Sequence, residues 1–490
     1  MKLKKLEITN FRCFESLSID LDEQLTVLVA KNGDGKSAVL DAIRIGLWPF
    51  VSGFDLAHTK YSDPANAIKI DDVQLLKMRN GDMARQLPCK ITLQGEYMVN
   101  ITTSSLSLSL PYMNRPGLKC LDLDGYTRYE ANLPWTRFRE SEVKGTKTGD
   151  DKNSKKIKFL ATLTQFEIRN PESPDTNLPV IRYYGTGRLW NQKHLTEAKK
   201  ANTKEIKQNA DFFMRLFAYR DCLDHASSYK HFADWFIWIF ECYREEQIKY
   251  AEKGLLSDIN STWANTIEVV QQAIDGILRE TGWHSLEYSV SHEKSLVLKH
   301  DEHGTLKVEL LSDGIRGVLA MVGDIAYRCI KLNPHLGLNA AKEASGIVMI
   351  DEVEMHLHPA WQQTILGNLC KAFPKIQFIV TTHSPQVIST VPSHQIRILT
   401  ENRVISAAPG TQGAEASRIL NEVFGVELRA QNLEIVQKLN RYLELIDNDK
   451  WDTEEALTLR QALDEWSRGN EPELVKADID IRMKAFQRQL

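Results

Sequence analysis

Short apolar stretches bounded by polar residues open the chain and predict three β-strands, at "LKKLEITNF", "LSIDL" and "LTVLVA". Residues 64–135 continue with strand-like segments, among them "KITLQGEYMVNITT" and the alternating "TSSLSLSL". The polar stretch at 141–157 contains few apolar residues, which favours an exposed, mobile loop. A buried strand in "LPVIRYYGTGRLW" then completes a first lobe built mainly of strands.

A helical period replaces this pattern between residues 193 and 280. Apolar residues recur at helical spacing in "HFADWFIWIFECYREEQIKYAEKG" and in "STWANTIEVVQQAIDGILRE". Strands return at "SLEYSV", "KSLVLKH", "GIVMI" and "IQFIVTT", and helices are predicted in "GIRGVLAMVGDIAYRCIKL" and over 359–373. From about residue 415 onward the pattern is helical.

These changes of period divide the 490 residues into four predicted parts. We expect a first lobe at 1–192, a helical insertion at 193–282, a second lobe at 283–410 and a helical C-terminal region at 411–490. Buried strands alternating with helices predict an α/β fold. The aromatic segment "HFADWFIWIFECY" is open to two interpretations, a local core between helices or an interaction surface.

Charge and cysteine usage narrow the class of protein. The net charge is −4, so bulk charge gives no argument for nucleic-acid binding. The basic stretch from Lys193 to Lys207 is diluted by Glu197 and Glu205, which favours a solvated helix face over a nucleic-acid contact. No apolar run is long enough for a membrane span, and the basic N-terminus lacks a signal-peptide core. Seven scattered cysteines without a C-x-x-C pair suggest a reducing cytoplasm and oppose a structural zinc site.

The loop after the third strand, "AKNGDGKS", is similar to the phosphate-binding pattern G-x-x-x-x-G-K-[ST], with Ala30 in place of the first glycine. Such a loop cradles phosphate oxygens with backbone N–H groups at a helix N-terminus. Lys36 is expected at the β- and γ-phosphates and Ser37 on Mg²⁺. Alanine replaces the glycine without strain if its φ stays negative. The alternative is an ordinary strand–turn–helix corner. The predicted nucleotide contacts are Asn32, Gly33, Asp34, Gly35, Lys36 and Ser37.

A carboxylate pair follows a second buried strand in "GIVMIDEVEMHLHP". Parallel α/β sheets place ligand chemistry at strand C-termini. Asp351 is therefore a candidate for the magnesium shell, and Glu352 for orienting or deprotonating the attacking water. By itself the pair is equally consistent with a solvated turn.

Two further segments stand close to predicted strand or helix ends. In "LLSDGIRGVL", Ser312 and Gly314 precede a helix and can present a hydroxyl and N–H donors to phosphate; the alternative is a simple N-cap. In "FIVTTHSPQVI", a buried strand delivers His383 about thirty residues after the carboxylate pair.

Taken in this order, the four segments resemble the ATP-binding cassette (ABC) ATPases of the SMC and overcoming-lysogenization-defect (OLD) group. "AKNGDGKS" is similar to their Walker A loop, "LLSDGIR" to the signature motif, "IVMIDEVEMHLHP" to Walker B with its D-loop, and "TTHSP" to the histidine switch. The opening "LEITNFRCF" is also typical of the group and implies that Arg12 lies near the nucleotide. The resemblance implies an ABC-type (SMC/OLD-like) ATPase head with a mixed β-sheet lobe, a helical insertion and a helical C-terminal tail.

The same resemblance implies ATP and Mg²⁺ as cofactors and an assembly of at least two heads. In the group, the signature motif completes the nucleotide site of a second subunit, so Ser312 and Gly314 are expected to act in trans. Catalytic roles are implied for Glu352 and His383, and a metal-binding role for Ser37 and Asp351. We expect ATP to bind and to turn over slowly.

Within the group, the chain resembles the PtuA-type ATPases of the Septu and retron-associated antiphage systems. The short helical insertion and the tail beginning "ASRILNEVFGVELR" carry this resemblance. It implies a homo-oligomer that controls a separate HNH nuclease of the PtuB type, with a retron reverse transcriptase and its msDNA as further candidate partners. Nucleic acid would then be reached through the complex.

Two other functions stay open at the level of sequence. One is a DNA-repair or recombination ATPase that acts directly on DNA. The other is a self-contained nuclease that uses D-x-D carboxylates of the tail, in "LIDNDK" and "KADIDI", with Asp478 as a candidate ligand. About a hundred residues follow His383, and their helical pattern disfavours a nuclease domain of the alternating α/β kind.

Overall fold

A computed structural model describes residues 1–31, 33–59, 62–102, 118–123, 126–170, 175–188, 210–225, 229–253, 261–400 and 402–487. The chain forms two compact units, Met1–Ala416 and Ser417–Leu490. The finer division into four parts stays a prediction. The predicted "TSSLSLSL" strand and the stretch from Lys193 to Lys207 lie outside the described residues.

Seventeen strands are present in the described ranges. They are β1 Lys2–Phe11, β2 Phe14–Asp20, β3 Leu25–Val29, β4 Leu75–Lys77, β5 Met83–Arg85, β6 Cys89–Thr102, β7 Leu118–Leu123, β8 Tyr126–Arg139, β9 Gly149–Asp150, β10 Val180–Tyr184, β11 Trp283–Ser289, β12 Ser295–His300, β13 Gly304–Lys307, β14 Gly346–Ile350, β15 Ile376–Thr381, β16 Ile396–Thr400 and β17 Arg403–Ser406.

The α-helices of the same ranges alternate with these strands and then fill the tail. They are α1 Lys36–Val51, α2 Ser62–Ala65, α3 Lys152–Glu167, α4 Tyr229–Glu252, α5 Thr262–Leu278, α6 Asp313–Leu332, α7 Ala340–Glu343, α8 Pro359–Gln362, α9 Ile365–Ala372, α10 Pro385–Ile388, α11 Ala416–Glu422, α12 Glu434–Asp447, α13 Glu454–Ser467 and α14 Pro472–Gln487.

A six-stranded sheet with the order β10-β14-β15-β3-β16-β17 forms the centre of the first unit. Neighbouring strands from β10 to β16 run parallel, and β17 is antiparallel. Every residue of β3, β10, β14 and β15 is buried, as expected for parallel strands covered on both faces. The C-terminal ends of β14, β15 and β3 therefore lie side by side at one edge of this sheet.

A second, antiparallel sheet contains β2-β1-β6-β8-β7, with β9 paired to β8. It packs against α1, the helix that follows the glycine-rich loop. Trp135 Nε1 donates a hydrogen bond to the carbonyl oxygen of Gly46 on α1 at 2.7 Å. A Cβ on Gly46 would lie 2.6 Å from Leu93 Cδ1, so the helix and the sheet are in close contact there. This contact fixes the direction in which α1 leaves the central sheet.

The aromatic segment of α4 packs into a local core, which confirms the first of its two interpretations. Phe232, Trp235 and Phe236 are buried. The Trp235 and Tyr327 ring centroids are 4.9 Å apart, and a Cβ on Gly323 of α6 would lie 2.5 Å from Phe232 Cε1. Helix α4 therefore packs on α6, the helix that follows the signature-like segment.

Two sequence predictions of local structure were wrong. Residues 141–157 are not a loop throughout, because α3 begins at Lys152. Its N-cap Asp151 accepts a hydrogen bond from the backbone N–H of Ser154 at 2.6 Å, and Ile157 is buried. The predicted helix over 359–373 is two helices, α8 and α9, because the helical hydrogen-bonding pattern breaks after Gln362.

The second unit consists of helices, as the pattern of the tail predicted. Its core is small and lies between α12, α13 and α14. Within the described ranges, no helix combines the length and the apolar character needed to cross a membrane. The buried core residues of this unit include Leu439, Tyr442, Leu445, Ile446, Leu463 and Leu474.

Candidate active site

Three neighbouring strand ends bring the predicted site residues together. Ile350 of β14 pairs with Val380 of β15, and Thr381 of β15 pairs with Leu28 of β3. The carboxylate pair, the histidine turn and the glycine-rich loop each follow one of these strands directly. The same edge of the sheet therefore carries all three segments.

The glycine-rich loop folds back onto its own lysine. Lys36 Nζ donates hydrogen bonds to the carbonyl oxygens of Ala30 at 2.8 Å and Lys31 at 3.3 Å. Gly33 and Gly35 have φ angles of +94° and +88°, which L side chains rarely adopt. A Cβ on Gly35 would also lie 2.6 Å from Cys13 Sγ. Both conformation and space therefore require glycine at position 35.

Ala30 fits the loop without strain. It is buried, and it is not among the described residues with a positive φ. The missing first glycine thus removes no conformation that this loop uses. Asn32, which the sequence also predicted as a nucleotide contact, lies outside the described residues.

The start of α1 has the chemistry of an anion site. The helix is 16 residues long and has no acidic residue in its first turn. Ser37 is exposed there, whereas Lys36 is buried. Burial lowers the pKa of Lys36, and the nearby carboxylates of Asp351 and Asp34 oppose that shift.

Thr381 links the two carboxylate residues. Its hydroxyl donates a hydrogen bond to Asp351 Oδ1 at 2.6 Å, and its oxygen accepts one from the backbone N–H of Glu352 at 2.8 Å. Asp351 is buried, and its own N–H donates to the carbonyl oxygen of Tyr184 at 2.8 Å. Glu352 has φ +48°, a left-handed conformation that costs a non-glycine residue about 1–3 kcal/mol. The backbone around the carboxylate pair is thus tightly held.

His383 stands in the turn after β15. Its backbone N–H donates a hydrogen bond to Glu354 Oε1 at 2.6 Å. Burial lowers the pKa of His383, as does the positive charge of Lys36, while nearby carboxylates such as Glu354 oppose the shift. The next residue, Ser384, caps α10 through its hydroxyl and also donates to Gln362 Oε1 at 2.7 Å.

Arg12 is held beside α1 rather than in the loop. Its guanidinium pairs with Asp41 Oδ2 of α1 at 2.7 Å and with Asp72 Oδ1 at 2.9 Å. Burial opposes the charged form, but these two carboxylates outweigh it and raise the pKa of Arg12. The structure therefore places Arg12 next to the helix that begins at Lys36.

The signature-like segment has one exposed and one buried residue. Ser312 is exposed at the N-cap of the 20-residue α6, and its side chain makes no capping hydrogen bond. No hydrogen bond in the described part of the chain joins Ser312 to residues 33–37. Gly314 is buried, and a Cβ there would lie 2.5 Å from the carbonyl oxygen of His356. The segment thus packs on the backbone that follows the carboxylate pair of its own chain.

A buried ionic cluster, which sequence reasoning missed, joins α6 to β10. Asp324 Oδ2 lies 3.0 Å from Arg182 Nε and 3.2 Å from Arg328 Nε, and it accepts a hydrogen bond from the Tyr184 hydroxyl at 2.8 Å. All four side chains are buried. The available signal was the charge of Asp324 and Arg328, which lie four residues apart in the mainly apolar stretch from Val318 to Ile330 of α6.

Asp478, the candidate nuclease ligand of the tail, is engaged elsewhere. Both of its carboxylate oxygens accept hydrogen bonds from Arg460, with Oδ2 at 2.9 Å from the guanidinium. Among the described residues, no group of three or more His, Cys, Asp and Glu side chains is arranged to hold a metal ion. This pairing offers Asp478 a structural role within the second unit.

The residues of the sheet edge fit Mg²⁺ and a nucleotide. The Ser37 hydroxyl and the Asp351 carboxylate are oxygen ligands of the kind that Mg²⁺ prefers. The lysine and the helix N-terminus suit phosphate oxygens. The carboxylate Glu352 follows Asp351 on the same edge.

Comparison with known proteins defines the class. Residues 1–388 match the family model of the AAA ATPase domain, and the chain belongs to this family. It is 25% identical to the retron Ec83 probable ATPase of Escherichia coli over 99% of this chain and 88% of that protein.

Two more distant relatives point in the same direction. The Septu protein PtuA of Bacillus mycoides (strain KBAB4) is 35% identical over 24% of this chain and 16% of that protein. The OLD nuclease of Thermus scotoductus (strain ATCC 700910 / SA-01) is 25% identical over 82% of this chain and 62% of that protein. The resemblance to the PtuA-type ATPases is thereby confirmed, as is the ABC-type, SMC/OLD-like α/β class of the head.

Proposed function

We propose that this chain binds and hydrolyses ATP as the regulatory subunit of an antiphage defence complex. The observation that carries the proposal is the sheet edge at which Lys36, the Asp351–Glu352 pair and His383 meet. The family of the chain supports ATPase chemistry, and the names of its relatives supply the defence context.

In this proposal, the residues at this edge of the central sheet have different roles in ATP hydrolysis. The N–H groups at the start of α1 and the ammonium of Lys36 bind the phosphates, with Gly33, Asp34 and Gly35 in the loop around them. Asn32 is a further proposed contact of the nucleotide. Ser37 and Asp351 would hold Mg²⁺, which would neutralise the charge that develops on the phosphate oxygens. Glu352 orients the attacking water and accepts its proton. His383 contacts the γ-phosphate side of the site and reports its state.

Thr381 sets the position of the carboxylate pair. Because its hydroxyl donates to Asp351, it restricts the orientation of that carboxylate, which would serve as a ligand of the metal. Because the same oxygen accepts from the Glu352 N–H, it also fixes the backbone from which the general base projects. Arg12, pinned to α1 by Asp41, supports the nucleotide side of the loop.

A complete site requires a second copy of the chain. Ser312 is exposed at the start of α6, and its hydroxyl is not used as a cap, so it is free to reach the nucleotide of a partner head. The backbone N–H of Gly314, in the first turn of α6, would then donate to the same phosphates. The exposed Ser312 supports the proposal of a homo-oligomer built from such pairs of heads.

The defence role rests on the relatives. A retron ATPase matches nearly the whole chain, and Septu PtuA matches part of it. We infer that the nucleotide state of the heads restrains or releases a separate HNH nuclease of the PtuB type. The reverse transcriptase and msDNA of a retron are further partners, through which the complex reaches nucleic acid.

The test uses the complete chain in cells with its neighbouring genes. Glu352→Gln should abolish phosphate release and protection against phage while ATP still binds. Lys375→Ala, which breaks an exposed ion pair with Glu343, serves as the matched control and should keep both activities. Full protection by the Glu352→Gln variant would contradict the proposal. Stimulation of hydrolysis by DNA alone, without a partner protein, would instead favour a repair ATPase.

A further inference from the structure

Glu354 joins the segment after β14 to the turn after β15. Its Oε1 accepts the hydrogen bond from the backbone N–H of His383 at 2.6 Å. A hydrogen bond to a charged carboxylate is roughly twice as strong as one between neutral groups. The bond connects two residues that are twenty-nine positions apart in sequence and lie on neighbouring strand ends.

The second oxygen of this carboxylate indicates that Glu354 does more than connect two segments of the fold. Glu354 Oε2 is buried and has no hydrogen-bond partner among the described residues. Burial lowers the pKa of both Lys36 and His383, and Glu354 is among the carboxylates that oppose these shifts. The carboxylate therefore lies within electrostatic reach of two groups of the site.

Resting on the proposed ATPase function, we propose that Glu354 is a positioning residue. It holds the backbone of His383 and thereby fixes where the imidazole stands relative to Lys36 and Glu352. Misplacement of a catalytic group by about 1 Å is enough to reduce a rate by roughly a hundredfold. Glu354 thus acts on hydrolysis through His383.

A second hydrogen bond provides a control that separates the proposed role of Glu354 from a purely structural connection. The Ser384 hydroxyl donates to Gln362 Oε1 at 2.7 Å, and this bond joins the same two segments one residue further along. Gln362→Ala removes it, together with the hydrogen bond from Gln362 Nε2 to the Leu357 carbonyl oxygen, without touching the backbone N–H of His383. If any hydrogen bond between these segments were enough to maintain hydrolysis, Glu354→Ala and Gln362→Ala would lower kcat equally.

The experiment measures steady-state ATP hydrolysis by the full chain and five variants: Glu354→Ala, Glu354→Gln, Gln362→Ala, His383→Ala and the double variant of His383→Ala with Glu354→Ala. Glu354→Ala should lower kcat by at least about tenfold and change KM for ATP by less than about twofold. Glu354→Gln should recover most of that loss, because its amide oxygen accepts the same N–H. Gln362→Ala should stay close to the wild-type rate. In a His383→Ala background, Glu354→Ala should add less than about a twofold loss.

Several outcomes would overturn the proposal. The first is an unchanged kcat in Glu354→Ala, and the second is a loss of kcat in Gln362→Ala as large as in Glu354→Ala. The third is a loss of kcat in Glu354→Gln as large as in Glu354→Ala. The fourth is that Glu354→Ala lowers kcat by the same factor in the wild-type and His383→Ala backgrounds. A second measurement needs no turnover: hydrogen exchange of the His383 amide should be faster in Glu354→Ala than in the wild type and in Glu354→Gln. Equal exchange rates of the His383 amide in all three proteins would overturn the proposal that Glu354 holds this backbone. If the His383 amide shows the expected protection but the chain hydrolyses no ATP, the result contradicts the proposed ATPase function and not the hydrogen bond from His383 to Glu354.

Discussion

The hydroxyl of Thr381 lies 2.6 Å from Asp351 Oδ1 and donates a hydrogen bond to it across the pair of parallel strands β14 and β15. The same oxygen accepts from the next backbone N–H, that of Glu352. One side chain therefore fixes both members of the carboxylate pair. This relationship makes the carboxylates sensitive to a residue that touches no phosphate itself.

Thr381→Val tests this relationship. The variant keeps the shape of the side chain but removes the hydrogen bonds that Thr381 makes to the buried Asp351 carboxylate and to the Glu352 N–H, which costs about 1–3 kcal/mol of unfolding free energy. We expect kcat for ATP hydrolysis to fall by at least about tenfold. Thr381→Ser keeps the hydroxyl and should retain most of the rate. Equal rates in the valine and serine variants would show that the hydroxyl has no such role.

Gly314→Ala tests the packing of α6 on the segment after the carboxylate pair. The added methyl group would meet the backbone carbonyl of His356 at 2.5 Å, and overpacking of this kind costs about 1–3 kcal/mol. Gly276→Ala is the matched control, because no atom lies within 4 Å of its added Cβ in α5. It should stabilise the chain by up to about 1 kcal/mol. Denaturant unfolding of both variants measures the difference, and the same sign in both would contradict the packing described.

Asp324→Ala tests the buried ionic cluster. The variant removes the carboxylate that Arg182 and Arg328 share, and breaking a buried ion pair in this way costs about 3–5 kcal/mol. Arg441→Ala removes an exposed pair with Glu455 and should leave the denaturant midpoint unchanged. A midpoint for Asp324→Ala equal to that of the wild type would show that the cluster does not stabilise the fold.

The stability of the chain should depend on the protonation of His231. Burial lowers the pKa of this imidazole to about 4 in the folded chain, although Asp221 opposes the shift. The unfolded chain binds the proton at the ordinary value of about 6.5. Because the folded pKa is depressed, the contribution of neutral His231 is full above about pH 6.5 and decreases as the pH falls toward 4.

His231→Gln isolates this contribution. The difference in unfolding free energy between the wild type and the variant should fall by about 1–3 kcal/mol between pH 7 and pH 4.5. A difference that stays constant over this range would contradict the assignment.

The sequence predicts the centre of the fold because its signals are local. The apolar runs of β3, β14 and β15 identify strands that are buried on both faces. The residues that follow each run then lie at one edge by the rule for parallel sheets. The sequence was therefore enough to predict that the glycine-rich loop, the carboxylate pair and His383 lie close together.

Other features depend on contacts between distant residues, which local patterns do not contain. Composition made the start of α3 look like a loop, although Ser154 and Ile157 are buried by the strands that α3 packs on. Glu354 looks like one more exposed carboxylate until the turn at His383 meets it. Likewise, the pairing of Arg182 with Asp324 spans more than a hundred residues of chain.

The central claim, that the edge formed by β14, β15 and β3 is a nucleotide site, is tested most directly by calorimetric titration of the full chain with ATP and Mg²⁺. Wild-type protein should bind ATP, and Lys36→Ala should lose at least about tenfold in affinity because it removes the ammonium proposed to bind the phosphates, together with its hydrogen bonds to the Ala30 and Lys31 carbonyl oxygens. Lys5→Ala, which alters a surface lysine paired with Glu7, should bind as the wild type does. Equal affinity of the wild type and Lys36→Ala, or no heat of binding in either, would contradict the account.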